Sequence, residues 1–216
     1  MRKLSLSTDG KLLRVLCLGA HSDDLEIGCA GTLLRWLSDH HAVEIVWVVA
    51  SAIGERAKEA RASARSLLRK AKRVEIVLGD LHDGYMPADF DAAKSLMMQV
   101  RELIDPDVIL THRTEDLHQD HRLIGELTWQ IWRDHLILEY EIPKYEGDFG
   151  QPNVFVPLSA AVARRKVDHL QRHFGTQRSK SWFNADTFSS VMHLRGMQCR
   201  APSGMAEAFH VRKAVL

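Results

Sequence analysis

Strand-like apolar segments alternate with helix-like segments along this chain, and that alternation restricts the fold more than any other feature of the sequence. The apolar, β-branched segments that predict strands lie at residues 12–20, 43–51, 73–80, 107–112 and 136–143. Segments with apolar residues at helical spacing separate them, at residues 25–41, 55–69, 89–104 and 119–134. Strands that are apolar on both faces are typical of a parallel sheet with helices on both sides. The pattern therefore predicts an α/β fold with a mainly parallel sheet.

The last third of the chain has a more mixed pattern. A turn-rich segment at 144–153 precedes a predicted strand at 154–158, a helix capped by Ser159 and a mixed tail. No repeat, low-complexity tract or linker divides the chain, and 216 residues with 45% hydrophobic side chains can bury one sizeable core. We expect a single domain over residues 1–216, in which segment 144–216 completes the substrate cleft.

Composition argues against several classes of protein. Twenty-nine basic and 28 acidic residues give a net charge of +1, which favours neither a nucleic-acid nor a membrane-surface partner. The basic residues at 55–73 lie beside a helical stripe of alanine and leucine, as on the solvated face of an amphipathic helix. No run of 18 apolar residues predicts a membrane span. Three widely spaced cysteines indicate reduced thiols, which favours a cytoplasmic location.

Further residue types give narrower expectations. The apolar surroundings of Cys17 and Cys29, and the helical spacing of Trp129 and Trp132, place all four side chains in the core. The chain contains neither the G-x-G-x-x-G motif of dinucleotide binding after its first strand nor the G-x-S-x-G motif of an α/β-hydrolase nucleophile.

Two clusters of histidine and aspartate directly follow predicted strands. His21, Asp23 and Asp24 come after the first strand, and three histidines with two aspartates occupy residues 112–121 after the fourth. Ligands of open α/β sheets bind outside the carboxyl ends of the strands, so both clusters are expected at the same edge of the sheet.

The residue types of these clusters are those of a catalytic metal site. His21 and Asp24, three residues apart across a strand-to-helix turn, can point at one position, and a third ligand from the second cluster would leave an open position for water. With Asp24 on the metal, Asp23 is a natural general base. His118 could stabilise an oxyanion or protonate a leaving group, and Asp120 could orient one of the imidazoles.

The segments AHSDDLEIGCAG and HQDH resemble the paired signatures of the PIG-L/LmbE-like zinc-dependent de-N-acetylases. This resemblance covers roughly residues 15–209 and implies an LmbE-like, Rossmann-like three-layer sandwich. It puts His21, Asp24 and His121 on the zinc ligands, Asp23 on the catalytic base and His118 on the histidine that assists the tetrahedral intermediate.

The same resemblance implies substrate contacts. The segment GERAKEA is similar to the family's R-x-x-E helix start and puts Arg56 on a substrate-contacting arginine. The segment GDLHDGYMP puts Asp83 on an aspartate that binds sugar hydroxyls. His193, before a C-terminal glycine, is a further candidate to reach the site. The sequence departs from the family signature at Ser22, which replaces a proline, and at Glu26, which lies one position later than the expected glutamate.

These observations together predict a zinc-dependent hydrolase that removes an N-acetyl group from an N-acetylglucosamine-type amino sugar or its conjugate through an activated water. Fe²⁺ is an alternative metal because a His/Asp/His set accepts both ions. Two other readings stay open: a metal-dependent hydrolase of another ester or phosphoester bond, and a non-catalytic metal- or sugar-binding protein on the same fold. The sequence leaves the acceptor's identity and a homo-oligomeric state undecided.

Overall fold

The protein is an α/β structure built on one seven-stranded sheet. The computed structural model describes residues 6, 12–40 and 42–215. In chain order the strands are β1 Leu13–His21, β2 Val43–Ser51, β3 Arg73–Leu78, β4 Val108–His112, β5 Ile137–Tyr140, β6 Val154–Pro157 and β7 Ala206–His210. The helices are α1 Asp24–Asp39, α2 Gly54–Leu67, α3 Phe90–Arg101, α4 Gln119–Ile131, α5 Ala160–His173 and α6 Ala185–Cys199, with a short 3₁₀ turn at Gly175–Gln177.

The sheet has the order β3-β2-β1-β4-β5-β7-β6. The first five strands are parallel, whereas β7 runs antiparallel to both β5 and β6. The chain moves outward from β1 to β3 and then returns to the other side of β1 with β4, so a topological switch point lies between β1 and β4. This is the place at which α/β sheets bind ligands.

Successive residues of β1 point to opposite faces of the sheet and enter separate cores. Val15 and Cys17 pack with α1, α2 and α5 on one face, and Leu16 and Leu18 pack with α3 and α4 on the other. All four of these side chains are fully buried. The predicted α/β class with a mainly parallel sheet between two helical layers is therefore confirmed.

The elements predicted from the sequence agree with the structure except at their ends and in the tail. The first helix ends at Asp39; the predicted end at residue 41 lies outside the described residues. The strand predicted at 136–143 is shorter, at Ile137–Tyr140. The mixed tail contains α6 and β7, which the sequence did not predict because the apolar residues of α6 do not form one stripe.

The predicted core residues are buried with one exception. Cys17, Cys29 and Trp132 are buried, whereas Trp129 is half-buried and donates its indole N–H to Glu139 at 2.5 Å. The predicted amphipathic helix is confirmed in α2, whose Ala60, Ala64 and Leu67 are buried while its arginines Arg61 and Arg65 are exposed. No helix in the described part of the chain has the length and apolar character needed to cross a bilayer.

Candidate metal centre

The two polar clusters meet at the carboxyl edge of the sheet, on either side of the switch point. β1 ends at His21, a turn at residues 22–23 follows, and α1 begins at Asp24. β4 ends at His112, and α4 begins directly after His118, which is its N-cap residue. The adjacent, parallel β1 and β4 thus bring residues about 100 positions apart into contact.

The side chains of His21, Asp24 and His121 bring their donor atoms close together. Nδ1 of His21 lies 3.2 Å from Nε2 of His121 and 3.5 Å from a carboxylate oxygen of Asp24. Nε2 of His121 lies 3.5 Å from the other oxygen of Asp24. A tetrahedral zinc with ligands at about 2.0–2.1 Å separates its donor atoms by about 3.4 Å. The spacing and the two imidazoles with one carboxylate therefore fit a divalent metal ion such as zinc.

Two of the three groups have protonation states that suit metal binding. For His21, burial lowers the pKa, but the hydrogen bonds with Asp120, Asp24 and Asp83 outweigh it and raise that pKa well above 6.5. Burial and the neighbouring His112 lower the pKa of His121 to about 4, so its imidazole is neutral near pH 7. Burial tends to raise the pKa of Asp24, but His121 and His112 outweigh it and hold that pKa well below 3.8. An ionised carboxylate and a neutral imidazole are the forms that bind a metal ion.

Asp24 also organises the loop that carries it. Its carboxylate accepts a hydrogen bond from the backbone N–H of His21 at 2.6 Å, which closes the turn between β1 and α1. Asp24 is 3% exposed and His21 is 8% exposed, so both are fixed within the protein rather than free in solvent. The turn between β1 and α1 therefore fixes the position of Asp24 relative to His21.

Asp23 stands beside this set in a different environment. One of its oxygens accepts a hydrogen bond from Nη2 of Arg56 at 2.7 Å, and the other, Oδ2, is buried without a partner among the described residues. Burial raises the pKa of Asp23, Asp24 raises it further, and Arg56 opposes both. A buried carboxylate with one free oxygen and a raised pKa is suited to accept a proton.

His118 is held with a defined tautomer. Its Nδ1 accepts a hydrogen bond from the backbone N–H of Asp120 at 3.3 Å, so the proton of the neutral ring is on Nε2. Burial and the nearby His21 lower the pKa of His118 below 6.5. The neutral ring therefore presents an N–H donor at neutral pH.

Asp120 contacts His21 and the loop after β3. Its Oδ2 lies 3.1 Å from Nε2 of His21, and its two oxygens accept the backbone N–H groups of Gly84 and Met86 at 2.6 and 3.1 Å. The side chain is fully buried. Asp120 therefore orients His21, a choice the sequence left open, and also fixes residues 84–86 against the site.

Two residues of the second cluster were counted in the sequence but given no role. Asp116 Oδ2 lies 3.2 Å from Nδ1 of His121 and accepts a hydrogen bond from Lys144 Nζ at 3.1 Å. His112 stacks on His121 with ring centroids 3.9 Å apart and lies 3.0 Å from Asp24. The available indication was their position at the end of β4, for His112, and in the loop that follows it, for Asp116. Buried polar side chains in such a place need polar partners.

The predicted substrate residues take different places. Asp83 Oδ1 lies 3.0 Å from Nε2 of His21, so this residue joins the site, and its side chain is 60% exposed. Arg56 contacts the site through its ion pair with Asp23. His193 is exposed on α6 beside Gly204 and forms no hydrogen bond or ion pair with these residues in the described chain.

Comparisons with known proteins identify a sequence relative and solved structures of the same fold. YaiS of Escherichia coli K12, named as an uncharacterized deacetylase, is 25% identical over 176 residues, which are 78% of this chain and 94% of YaiS. The N,N'-diacetylchitobiose deacetylase of Pyrococcus horikoshii has the same fold, with a TM-score of 0.68, 19% identity and coverage of 92% of this chain and 83% of that chain. The 4-carboxy-2-hydroxymuconate hydratase GalB of Pseudomonas putida KT2440 has it too, with a TM-score of 0.75, 18% identity and coverage of 94% and 98%.

The family model described as PIG-L, GlcNAc-PI de-N-acetylase, matches residues 16–132. That range is more than half of the 216-residue chain and includes both polar clusters. The resemblance noted from the two short segments is thereby confirmed, and this protein belongs to the PIG-L family of de-N-acetylases.

Proposed function

We propose that this protein is a zinc-dependent hydrolase that removes an N-acetyl group from an N-acetylglucosamine-type sugar or its conjugate. His21, Asp24 and His121 would hold the ion. Zinc bound there would lower the pKa of a water toward about 7 and polarise the amide carbonyl. The observation that carries the proposal is the pairing of this three-donor set with the unpartnered buried oxygen of Asp23.

Asp23 acts as the general base. Its free Oδ2 accepts a proton from the attacking water, while Arg56 keeps the other oxygen in place. The same proton is then available for the departing amine, so the carboxylate ends the cycle ionised. The raised pKa of Asp23 brings its proton affinity nearer to the working pH, which favours both transfers.

His118 stabilises the charge that develops on the carbonyl oxygen. Its Nε2–H is free to donate because Nδ1 is engaged by the backbone of Asp120. A neutral imidazole held in this way is a preorganised donor, and one such donor typically contributes about 10²–10³-fold to the rate. Asp120 acts through His21 and is a positioning residue.

The sugar is expected to bind between Arg56 and Asp83 on one side and segment 144–216 on the other. Asp83 has an exposed carboxylate suited to sugar hydroxyls. Segment 144–216 lines an open groove with Lys144, Phe149 and Trp182. Aromatic side chains with polar neighbours suit the apolar face and hydroxyl rim of a pyranose ring. His193 stays a candidate for contact with a larger conjugate.

The first experiment measures primary-amine release from a panel of N-acetylated amino sugars, with parallel assays of ester and phosphate release. The protein is used as purified, after removal of metal by a chelator, and after reloading with Zn²⁺ or Fe²⁺. We expect amine release that is lost with the metal and restored by zinc. The iron-loaded sample decides which ion supports the higher rate.

Each other result would contradict the proposal. Release of phosphate or alcohol without amine would show that the same residues hydrolyse a phosphoester or ester bond instead of an amide. Binding of zinc and sugar without release of any product would indicate a non-catalytic binding protein. Amine release that persists after removal of the metal would show a deacetylase activity that does not depend on zinc.

A further inference from the structure

The positive charge of this protein is concentrated in one of its two helical layers. Residues 54–73 and 160–180, which contain α2 and α5, have 14 of the 29 basic residues but only three of the 28 acidic ones. The rest of the chain has 15 basic and 25 acidic residues. The net charge of +1 is therefore the sum of a strongly positive layer and a negative remainder.

Helices α2 and α5 form one continuous surface. Oγ of Ser63 in α2 lies 2.8 Å from Nε2 of His169 in α5. The backbone N–H of Thr176, in the 3₁₀ turn after α5, donates to Glu59 of α2 at 2.9 Å. We call six exposed basic side chains of this surface the basic face; they are Arg61, Arg65, Arg69, Arg172, Arg178 and Lys180.

The charges of the basic face are not neutralised within the described part of the chain. The ion pairs of residues 54–73 and 160–180 belong to other basic residues, namely Arg56, Lys58, Arg73 and Lys166. Glu55 pairs with Lys58 at 2.8 Å, and Glu59 accepts both the N–H and the hydroxyl of Thr176. The guanidinium and ammonium groups of the basic face are thus available to an anionic ligand.

The basic face leads to the candidate metal centre. Lys180 Nζ lies 5.8 Å from the centroid of the Trp182 ring, and Trp182 lines the open groove of segment 144–216. Burial raises the pKa of Asp23, and the charges of Arg56 and Lys180 oppose that rise, so both cations lie near this carboxylate. Helix α2 has 14 residues and extends about 21 Å from Arg56 along the sheet. The positive surface is therefore several times longer than one sugar ring.

The composition of this surface favours an acidic glycan over other polyanions. Residues 54–73 and 160–180 include no exposed Phe, Tyr or Trp on which nucleic-acid bases could stack. They also include no exposed large apolar side chain to insert into a membrane. Arginine, which supplies five of the six side chains of the basic face, forms paired hydrogen bonds with carboxylates.

We propose that the amino sugar reaches the site as a unit of an acidic polysaccharide, whose carboxylates bind the basic face. One N-acetylated unit occupies the candidate metal centre while its neighbours lie along α2 and α5. The inference names the substrate class of the proposed function and rests on it for the reaction. The binding of the polysaccharide does not depend on that reaction.

The test measures binding of the full chain to an end-labelled hyaluronan fragment, in which N-acetylglucosamine alternates with glucuronate, by fluorescence anisotropy. Arg65→Gln with Arg172→Gln removes two charges of the basic face, from the last turns of α2 and α5. Arg101→Gln with Arg133→Gln is the matched control, because both arginines are exposed on the opposite side of the sheet, at the end of α3 and after α4. Circular dichroism checks that both double variants fold.

We expect the first double variant to bind hyaluronan about tenfold more weakly than the wild type, and the control to bind as the wild type does. Wild-type affinity should fall as salt is added, because salt screens exposed charges. A neutral chitin oligosaccharide should bind more weakly than hyaluronan and equally to all three proteins. Equal hyaluronan affinity of the two double variants would overturn the proposal, as would tighter binding of duplex DNA or of phosphatidylserine vesicles than of hyaluronan.

Amine release from both glycans is followed with the zinc-loaded proteins. The first double variant should have a raised KM for hyaluronan with unchanged kcat, and unchanged kinetics on the chitin oligosaccharide. Deacetylation of the neutral sugar without binding of hyaluronan would refute the inference and leave the proposed function standing. Binding of hyaluronan through the basic face without release of amine from any sugar would refute the proposed function and leave the glycan-binding face standing.

Discussion

Oδ2 of Asp116 lies 3.2 Å from Nδ1 of His121 and turns the opposite ring nitrogen of that histidine toward Asp24. Lys144 donates to the same carboxylate oxygen at 3.1 Å. The surrounding charges, with the hydrogen bond from His121, hold the pKa of Asp116 below its ordinary value despite burial, so it is ionised throughout the neutral range. The orientation of a proposed metal ligand therefore depends on a lysine in the loop after β5.

Replacement of Asp116 should weaken metal binding. Loss of the carboxylate that orients a ligating histidine typically lowers metal affinity by about 10–100-fold, and we expect that loss for Asp116→Asn. Competition with a zinc chelator of known affinity measures it. Glu115→Gln is the control, because the side chain of Glu115 is 82% exposed and pairs with Arg113 rather than with a histidine. Equal zinc affinity in Asp116→Asn and Glu115→Gln would show that the contact does not support the site.

Replacement of Asp23 should separate catalysis from metal binding. Asp23→Asn keeps the size of the side chain but cannot accept a proton, so we expect kcat to fall by about 10²–10⁴-fold. Bound zinc should be unchanged because Asp23 is not one of the three proposed ligands. Steady-state kinetics and zinc analysis of the same preparation check both statements. Full activity with zinc still bound would mean that Asp23 is not the base.

His169 should make the stability of the protein fall in acid. Burial, with the charges of His173, Arg165 and Arg172, lowers its pKa to about 3, and its Nε2 lies 2.8 Å from Ser63 Oγ. The unfolded chain, with an ordinary histidine pKa of about 6.5, takes up the proton first, so this contribution is complete above about pH 6.5 and is lost as pH falls toward 3.

Urea unfolding of the metal-free protein at several pH values measures this effect. Between about pH 6.5 and 4.5 the wild type should lose about 2–3 kcal/mol more than His169→Gln. His193→Gln, at an exposed position of α6, is the control and should follow the wild type. Parallel curves for all three proteins would contradict the assignment.

Lys166 should contribute strongly to stability through helix α1. Its ammonium donates to the Ile27 carbonyl at 2.5 Å and to Glu207 at 2.6 Å, and both charged side chains are at most 4% exposed. Glu207 in turn accepts the backbone N–H groups of Gly31 and Thr32. The pair therefore contacts backbone groups of α1 and ties that helix to α5 and β7.

Breaking one side of this buried pair leaves a charge without a partner. We expect Lys166→Met to lower the free energy of unfolding by about 3–5 kcal/mol. Lys58→Met, which removes the exposed pair with Glu55, should leave it unchanged. The denaturant midpoints of the wild type, Lys166→Met and Lys58→Met measure this difference. Equal midpoints for the two variants would contradict the prediction.

The sequence by itself determined the layered α/β fold and the edge of the sheet at which the polar residues gather. Both follow from local rules: apolar segments of strand length repeat between helical segments, and the polar clusters directly follow the first and fourth of them. Because residues after parallel strands must lie at the carboxyl edge, His21, Asp24 and the segment 112–121 could be placed together before any contact was known.

Only the tertiary structure decided what each polar side chain contacts. Three contacts join side chains that are 5 to 99 positions apart in the sequence. They are Asp120 with His21, Asp23 with Arg56, and Asp116 with His121. The helix α6 and the antiparallel strand β7 could not be predicted from the sequence either. The apolar residues of α6 form no single stripe, and β7 is defined by its pairing with β5 and β6. Local patterns set which face of an element is buried, but the packing of distant elements sets the hydrogen bonds, the burial and therefore the pKa of each group in the site.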